Sequence, residues 1–301
     1  MLKKRLLPGI FLLLTGISFW GCATVYNPVT GRQETSLYST QDEVAVGISV
    51  DRQIRKEFKS SSNAEAIRWI KKVGQKVAEQ SGRGDVTFHF EVMEDKAVNA
   101  FAGPGGYVYV TTGLLKLISS EEELACVLGH EIGHVAARHA IKQLQSQVLY
   151  SIPASIIFSE SRYGKIEQAV SIAFNLTQLS YSRKDELQAD TLGMSYAQKA
   201  GYDPAGLVSF LRKLGEIEQK EPRLIIVPLS THPVTSIRIE NAIAWIGKQW
   251  KSTLPVVAPS SSLRRIVGTT VDARSEFLQN FASPELRLCV NQGNLKRKQI
   301  L

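Results

Sequence analysis

Residues 119–140 read SSEEELACVLGHEIGHVAARHA, with HEIGH at 130–134. His130 and His134 are four residues apart. On a helix, at about 100° per residue, their side chains project roughly 40° apart and share one face. The run supports a helix on other grounds as well. Ser120, three residues before Glu123, can cap its start, and Leu124, Val127, Leu128, Ile132 and Val135 supply the apolar positions. Two imidazoles on one face of such a helix constrain the whole fold, because a second element must approach and complete what they hold. Gly133 leaves room for that approach.

Both imidazoles can reach one ion. Glu131 sits one step round the same side, close enough to touch water at the ion without ligating it. This is the spacing that suits zinc hydrolysis. A third ligand is still needed, and SRKDELQADTLG (182–193) offers the best candidate. Glu186 and Asp190 are again four residues apart on a capped helix, so they share a face. Glu186 can ligate, while Asp190 can hold an imidazole by its free N–H.

Four stretches together resemble the M48 zinc metallopeptidases: HEIGH at 130–134, ELQAD at 186–190, VNAFAGPGGYVYVTTGLL at 98–115 and STHPVTSIRIE at 230–240. The resemblance covers about residues 40–250, in the right order. It implies one zinc ion held by His130, His134 and Glu186, with Glu131 as the general base and Asp190 orienting a histidine ligand. It implies that His232 lies close to the zinc. There His232 would stabilise the oxyanion or ligate as a self-inhibiting fourth ligand; the alternative is a helix-start residue ahead of Pro233. It also implies a sheet edge, at Asn99–Ala102 or Tyr107–Thr111, on which a substrate peptide lies as an added strand. The tetratricopeptide region of some periplasmic members has no visible counterpart.

The other candidates carry weaker signals. His139 lies five residues past His134, about 140° away on the wheel, and reads as a solvated helix residue. His89 reads as surface or groove-lining. Cys126 shares nearly the same face as His130, with a core position as its better default. Arg238 is as readily a structural ion pair as a site residue, and Arg183 as readily a surface residue as a partner for a carboxylate.

The N-terminus adds a location. MLKKR is basic, LLPGIFLLLTGISFW is apolar and short for a membrane span, and GCAT follows. This resembles a bacterial lipoprotein signal, although Phe19 and Trp20 are bulkier than usual before the cysteine. Cys22 would become the lipidated first residue. The alternatives are an ordinary secretory signal or an uncleaved anchor, and in each the rest of the chain is exported. Ala23 after Cys22 resembles sorting to the outer membrane, facing the periplasm. The net charge of +8 suits solubility, and no Arg/aromatic motif favours nucleic acid. Cys126 and Cys289 could pair, but two isolated cysteines make no disulfide framework.

The 301 residues divide into a signal (1–22), a tether (23–38), a metallopeptidase domain (39–252) and a C-terminal extension of unknown role (253–301). Within the domain, Ser39 or Thr40 opens a helix to about Phe58, with Thr40-x-x-Glu43 as a capping box, and a second helix fits 64–80. VTFHFEV (86–92) alternates as a half-buried strand, and 98–102 and 107–113 form strands around the PGG turn. The apolar run 148–158 reads as a helical hairpin or lid. Helices resume over 165–180, 182–200, 204–219 and from THP (231–233) to about Trp250. The fold class expected is α+β, a mainly helical zincin-like domain with a small mixed sheet beside the HExxH helix. The function expected is a zinc endopeptidase that cuts unfolded or misassembled envelope proteins. The alternatives are a zinc-containing chaperone or assembly factor with weak or gated proteolysis, and an inactive metal-stabilised domain.

Overall fold

The computed structural model describes residues 23–151, 162–176, 180–220, 232 and 236–253. The signal segment, Cys22, Cys289, residues 152–158 of the apolar run, the neighbours of His232 in THP, and the C-terminal extension beyond 253 lie outside them.

The segment expected as a tether is an antiparallel ribbon, β1 (Ala23–Asn27) and β2 (Arg32–Ser36). Its turn is built locally. Asn27 Oδ1 accepts from the backbone N–H of Val29 at 2.9 Å, and Gly31 takes a φ of 66°. The ribbon is fastened far along the chain, where Gln145 Oε1 accepts from Leu37 N at 2.6 Å.

Helix α1 (Thr40–Glu57) starts one residue earlier than the anticipated box. Ser39, not Thr40, is the cap, and its reciprocal partner is Asp42 rather than Glu43. Glu43 is instead buried and paired with two arginines, Arg83 and Arg138, each 3.1 Å from its Oε2. Helix α2 (Ala64–Ala78) follows, capped by Asn63.

Strands β3 (His89–Met93), β4 (Ala100–Ala102) and β5 (Tyr107–Thr111) form the main sheet in the order β3-β5-β4. β5 runs parallel to β3 and antiparallel to β4. Tyr107–Thr111 is therefore the middle strand and cannot be the free edge proposed for it; β4 is the edge. Strand alternation sends Phe90, Val92, Val108 and Val110 into one apolar core and Tyr109, Phe101 and Met93 into another. Thr112–Leu117, partly assigned above to β5, is a short helix α3 whose cap is Thr111.

Helix α4 (Glu121–Ala136) is capped by Ser120, and every residue from Glu123 to Ala136 is buried. It does not run on to 140. Arg138 has a φ of 58°, the left-handed region, and a new helix α5 begins at His139 and ends at Ser151. Helices α6 (Arg162–Leu176), α7 (Arg183–Lys199), α8 (Ala205–Lys220) and α9 (Ser236–Thr253) complete the described chain. Among the described residues no helix is long and apolar enough to cross a membrane. The architecture is α+β and mainly helical.

Helices α4 and α7 meet almost backbone to backbone. A Cβ on Gly193 would lie 2.5 Å from the backbone nitrogen of His130, and one on Gly133 would lie 3.0 Å from the carbonyl oxygen of Ala189. Only glycine fits at the first contact. The seam turns HEIGH and ELQAD toward each other at close range.

Candidate metal centre

His130, His134, Glu186 and His232 each offer one ligand atom, and these atoms all lie within 4.8 Å of one another. Nε2 of His130 is 3.1 Å from Nε2 of His134 and 3.2 Å from Nδ1 of His232. Glu186 Oε1 is 2.8 Å from His232 Nδ1 and 3.4 Å from His134 Nε2. Ligands about 2.0–2.1 Å from a tetrahedral ion stand about 3.4 Å apart, so the cluster is close to that size. The helices supply it as sequence spacing dictates: two candidate ligands from α4, one from α7, and His232 from just ahead of α9.

The protons point the same way. His130 Nδ1 is 2.8 Å from Asp190 Oδ1, an acceptor, so this nitrogen carries hydrogen. His139 Nε2 is 2.9 Å from Gln188 Oε1 and 3.4 Å from Asp185 Oδ1, both acceptors, so it carries hydrogen too. Neutral His139 then has only its Nδ1 lone pair to offer His134 Nδ1 at 2.9 Å, and His134 donates. Both α4 imidazoles are thus left with bare Nε2 atoms facing each other and the Glu186 carboxylate. Acceptors converge on one point, an arrangement that a cation satisfies. Charge agrees: Glu131, Glu186 and Asp190 are buried beside the guanidinium of Arg238. The residues fit a divalent metal ion.

Burial holds the His134 pKa well below the ordinary imidazole value. Burial pushes the Glu186 carboxyl up, but the imidazoles of His232, His134 and His130 outweigh it and leave it well below the carboxylate range. Asp190 is likewise opposed by burial, yet its bonds to Arg238 and His130 bring it down to about 2. Burial lowers His232, and the carboxylates of Glu131 and Glu186 more than reverse this.

The Peptidase family M48 profile matches residues 64–246. The chain belongs to peptidase family M48. It is 27% identical over 228 residues to the beta-barrel assembly-enhancing protease of Yersinia pestis, covering 71% of this chain and 46% of that protein. The protein of the same name from Escherichia coli K12 is 25% identical over 228 residues, with the same coverage. The mitochondrial metalloendopeptidase OMA1 of Saccharomyces cerevisiae is 25% identical over 254 residues, covering 76% of this chain and 73% of that protein. The chain spans about half the length of the first of these relatives.

Around this M48 centre, Arg238 carries more than its sequence signal indicated. Its Nε and one terminal nitrogen grip Asp190 at 2.8 and 2.7 Å, and the other terminal nitrogen reaches Glu186 Oε2 at 3.0 Å and donates to the His232 carbonyl at 3.2 Å. It ties α7 to the segment bearing His232. Burial opposes its charge, but Asp190 and Glu186 raise its pKa.

The solvated reading of His139 is wrong. His139 is buried, and the left-handed turn at Arg138 swings it out of the register the wheel assumes and back against His134. Arg138 is held in turn by Glu43 and by the Tyr38 carbonyl at 3.1 Å. No local signal in AARHA marks that break. Tyr181 was also missed; its ring stacks on His134 with centroids 4.1 Å apart.

Cys126 lies outside the cluster, buried with Sγ 3.7 Å from the Asp203 carbonyl oxygen, and burial pushes its thiol up to about 12. His89 is exposed and stacks on Tyr107, and Arg183 is exposed.

Proposed function

We propose that this chain is a zinc-dependent metalloendopeptidase of the bacterial cell envelope that cleaves unfolded or misassembled envelope proteins. The observation that carries the reading is the convergence of bare His130 and His134 nitrogens on Glu186, with Glu131 beside them. Three protein ligands of the two-histidine, one-carboxylate type suit zinc in a hydrolytic site. Zinc held there would polarise the scissile carbonyl and lower the pKa of the attacking water.

The rest is done by the chain. Glu131 Oε2 is buried without a hydrogen-bond partner among the described residues, a carboxylate oxygen ready to take a proton. Glu131 takes that proton from the attacking water and returns it to the leaving amine. Asp190 and His139 fix the two imidazoles, and Arg238 neutralises the carboxylates behind them. The outer edge of β4 offers backbone groups to an extended peptide. The envelope location rests on the lipoprotein-like signal ending at Cys22, outer-membrane sorting at Ala23, and two relatives named for beta-barrel assembly.

A second reading is favoured by His232, whose Nδ1 stands at ligand distance from the others. Four protein ligands would close the site, so proteolysis would be gated and a chaperone or assembly role could dominate. The test pairs metal analysis of purified protein with casein cleavage, with and without a chelator. Stoichiometric zinc with chelator-sensitive cleavage supports the peptidase; zinc without cleavage moves the reading to the second. A Glu131→Gln protein that keeps full cellular function after losing cleavage would sink proteolysis as the biological role.

A further inference from the structure

Helix α1 carries a carboxylate into the core. Glu43 is 1% exposed, and its Oε2 alone meets two guanidinium groups, those of Arg83 and Arg138, each at 3.1 Å. A charge is buried this deeply only where it is paired, so the pairing fixes where the three side chains lie. The helix is itself seated. A Cβ on Gly47, one turn after Glu43, would collide with the carbonyl oxygen of Pro104 in the turn between β4 and β5.

Both arginines act on the end of α4. Arg83 Nη1 donates to the carbonyl of Val135, in the last turn of that helix, at 2.7 Å. Arg138 is the break itself. Its φ of 58° is strained for a residue with a Cβ and persists only where the surroundings hold it. Its Nη2 is held by Glu43 and by the Tyr38 carbonyl, both at 3.1 Å. Burial opposes the Arg138 charge, and Glu43 is the largest counterweight. His139 follows at once, with its Nδ1 2.9 Å from that of His134. Had α4 run on, His139 would point about 140° away from His134, and the break closes that angle.

Resting on the reading of the cluster as a zinc site, we infer that Glu43 is a positioning residue of the metal centre. With Arg138 it holds the left-handed break, the break sets His139 against His134, and His139 leaves His134 Nε2 bare for the ion. Glu43 supplies no ligand. Its side-chain polar contacts run to the two arginines and to the backbone nitrogen of Gly105, at 3.5 Å. Its influence on zinc therefore passes through His139.

Zinc affinity of the full chain, read by competition against a chromophoric chelator, tests this. Arg138→Ala and Arg138→Gly both delete the side chain, but only glycine takes a positive φ without strain. Arg138→Ala should weaken zinc binding about tenfold. Arg138→Gly should stay closer to the native affinity than to that of the Ala variant. Glu43→Gln should also cost about tenfold, and less than about twofold where His139 is already Ala, because the path is then already cut. Circular dichroism of each zinc-free variant comes first. If Glu43→Gln does not fold, Arg138→Ala takes its place in the comparison with His139→Ala. Equal losses for Ala and Gly at 138, no loss for Arg138→Ala, or losses that multiply with that of His139→Ala overturn the positioning role and leave the zinc site standing. A native chain that binds no zinc overturns the zinc reading, and the inference with it.

Discussion

His139 accepts a hydrogen bond from His134, Nδ1 to Nδ1 across 2.9 Å. The bond fixes which nitrogen of His134 is bare and turns it toward Glu186, work that a carboxylate does for His130 through Asp190. A neutral acceptor does it for one candidate ligand and an anion for the other. His139→Ala should weaken zinc binding roughly 10–100-fold while leaving the zinc-free protein folded. Competition against a calibrated chelator reads the first, and circular dichroism of the zinc-free protein the second. Unchanged zinc affinity would remove His139 from the centre.

Arg238 faces two carboxylates within 3.0 Å and is itself buried. Replacing it by Met takes the guanidinium from both Asp190 and Glu186 and leaves them only their histidine partners. Breaking a buried pair from one side costs about 3–5 kcal/mol, and urea unfolding should register a loss of that order. Arg238→Lys keeps the charge and loses the two-pronged grip, so it should rescue only part.

If His232 is a fourth ligand, His232→Ala should raise chelator-sensitive casein cleavage and lower zinc affinity together, because the substitution would free a ligand position. Reduced cleavage with unchanged zinc affinity would instead assign His232 to the oxyanion.

Cys126 should resist iodoacetamide in the native protein at pH 8 and react on unfolding. Burial raises its pKa to about 12, so thiolate is scarce across the neutral range and grows only as pH approaches that value. Peptide mapping after a timed pulse of reagent measures it; rapid native labelling would contradict the burial.

Much of the centre is legible in the letters because helical spacing is local. HEIGH and ELQAD each declare a face, and the resemblance to M48 sequences joins them. What sequence hides is set at a distance. The break after α4 depends on Arg138 reaching Glu43, which lies 95 positions earlier in the chain. A wheel drawn through 119–140 cannot include it, so His139 is misplaced. The sheet order has the same origin. Alternation in 86–92 gives the correct faces of β3, but nothing local says that β5 lies between β3 and β4. The cap of α1 fell to Ser39 because adjacent Ser and Thr are equally able, and Glu43 was needed elsewhere.

The β1–β2 ribbon bears on how far such an enzyme could reach. Strand β1 begins at Ala23, the residue after Cys22, and the ribbon is fastened to Gln145. If Cys22 carries lipid, the leash has almost no slack. The cutting site would then patrol a shell a single domain deep above the bilayer, meeting proteins that stall at the membrane surface and missing those that drift free.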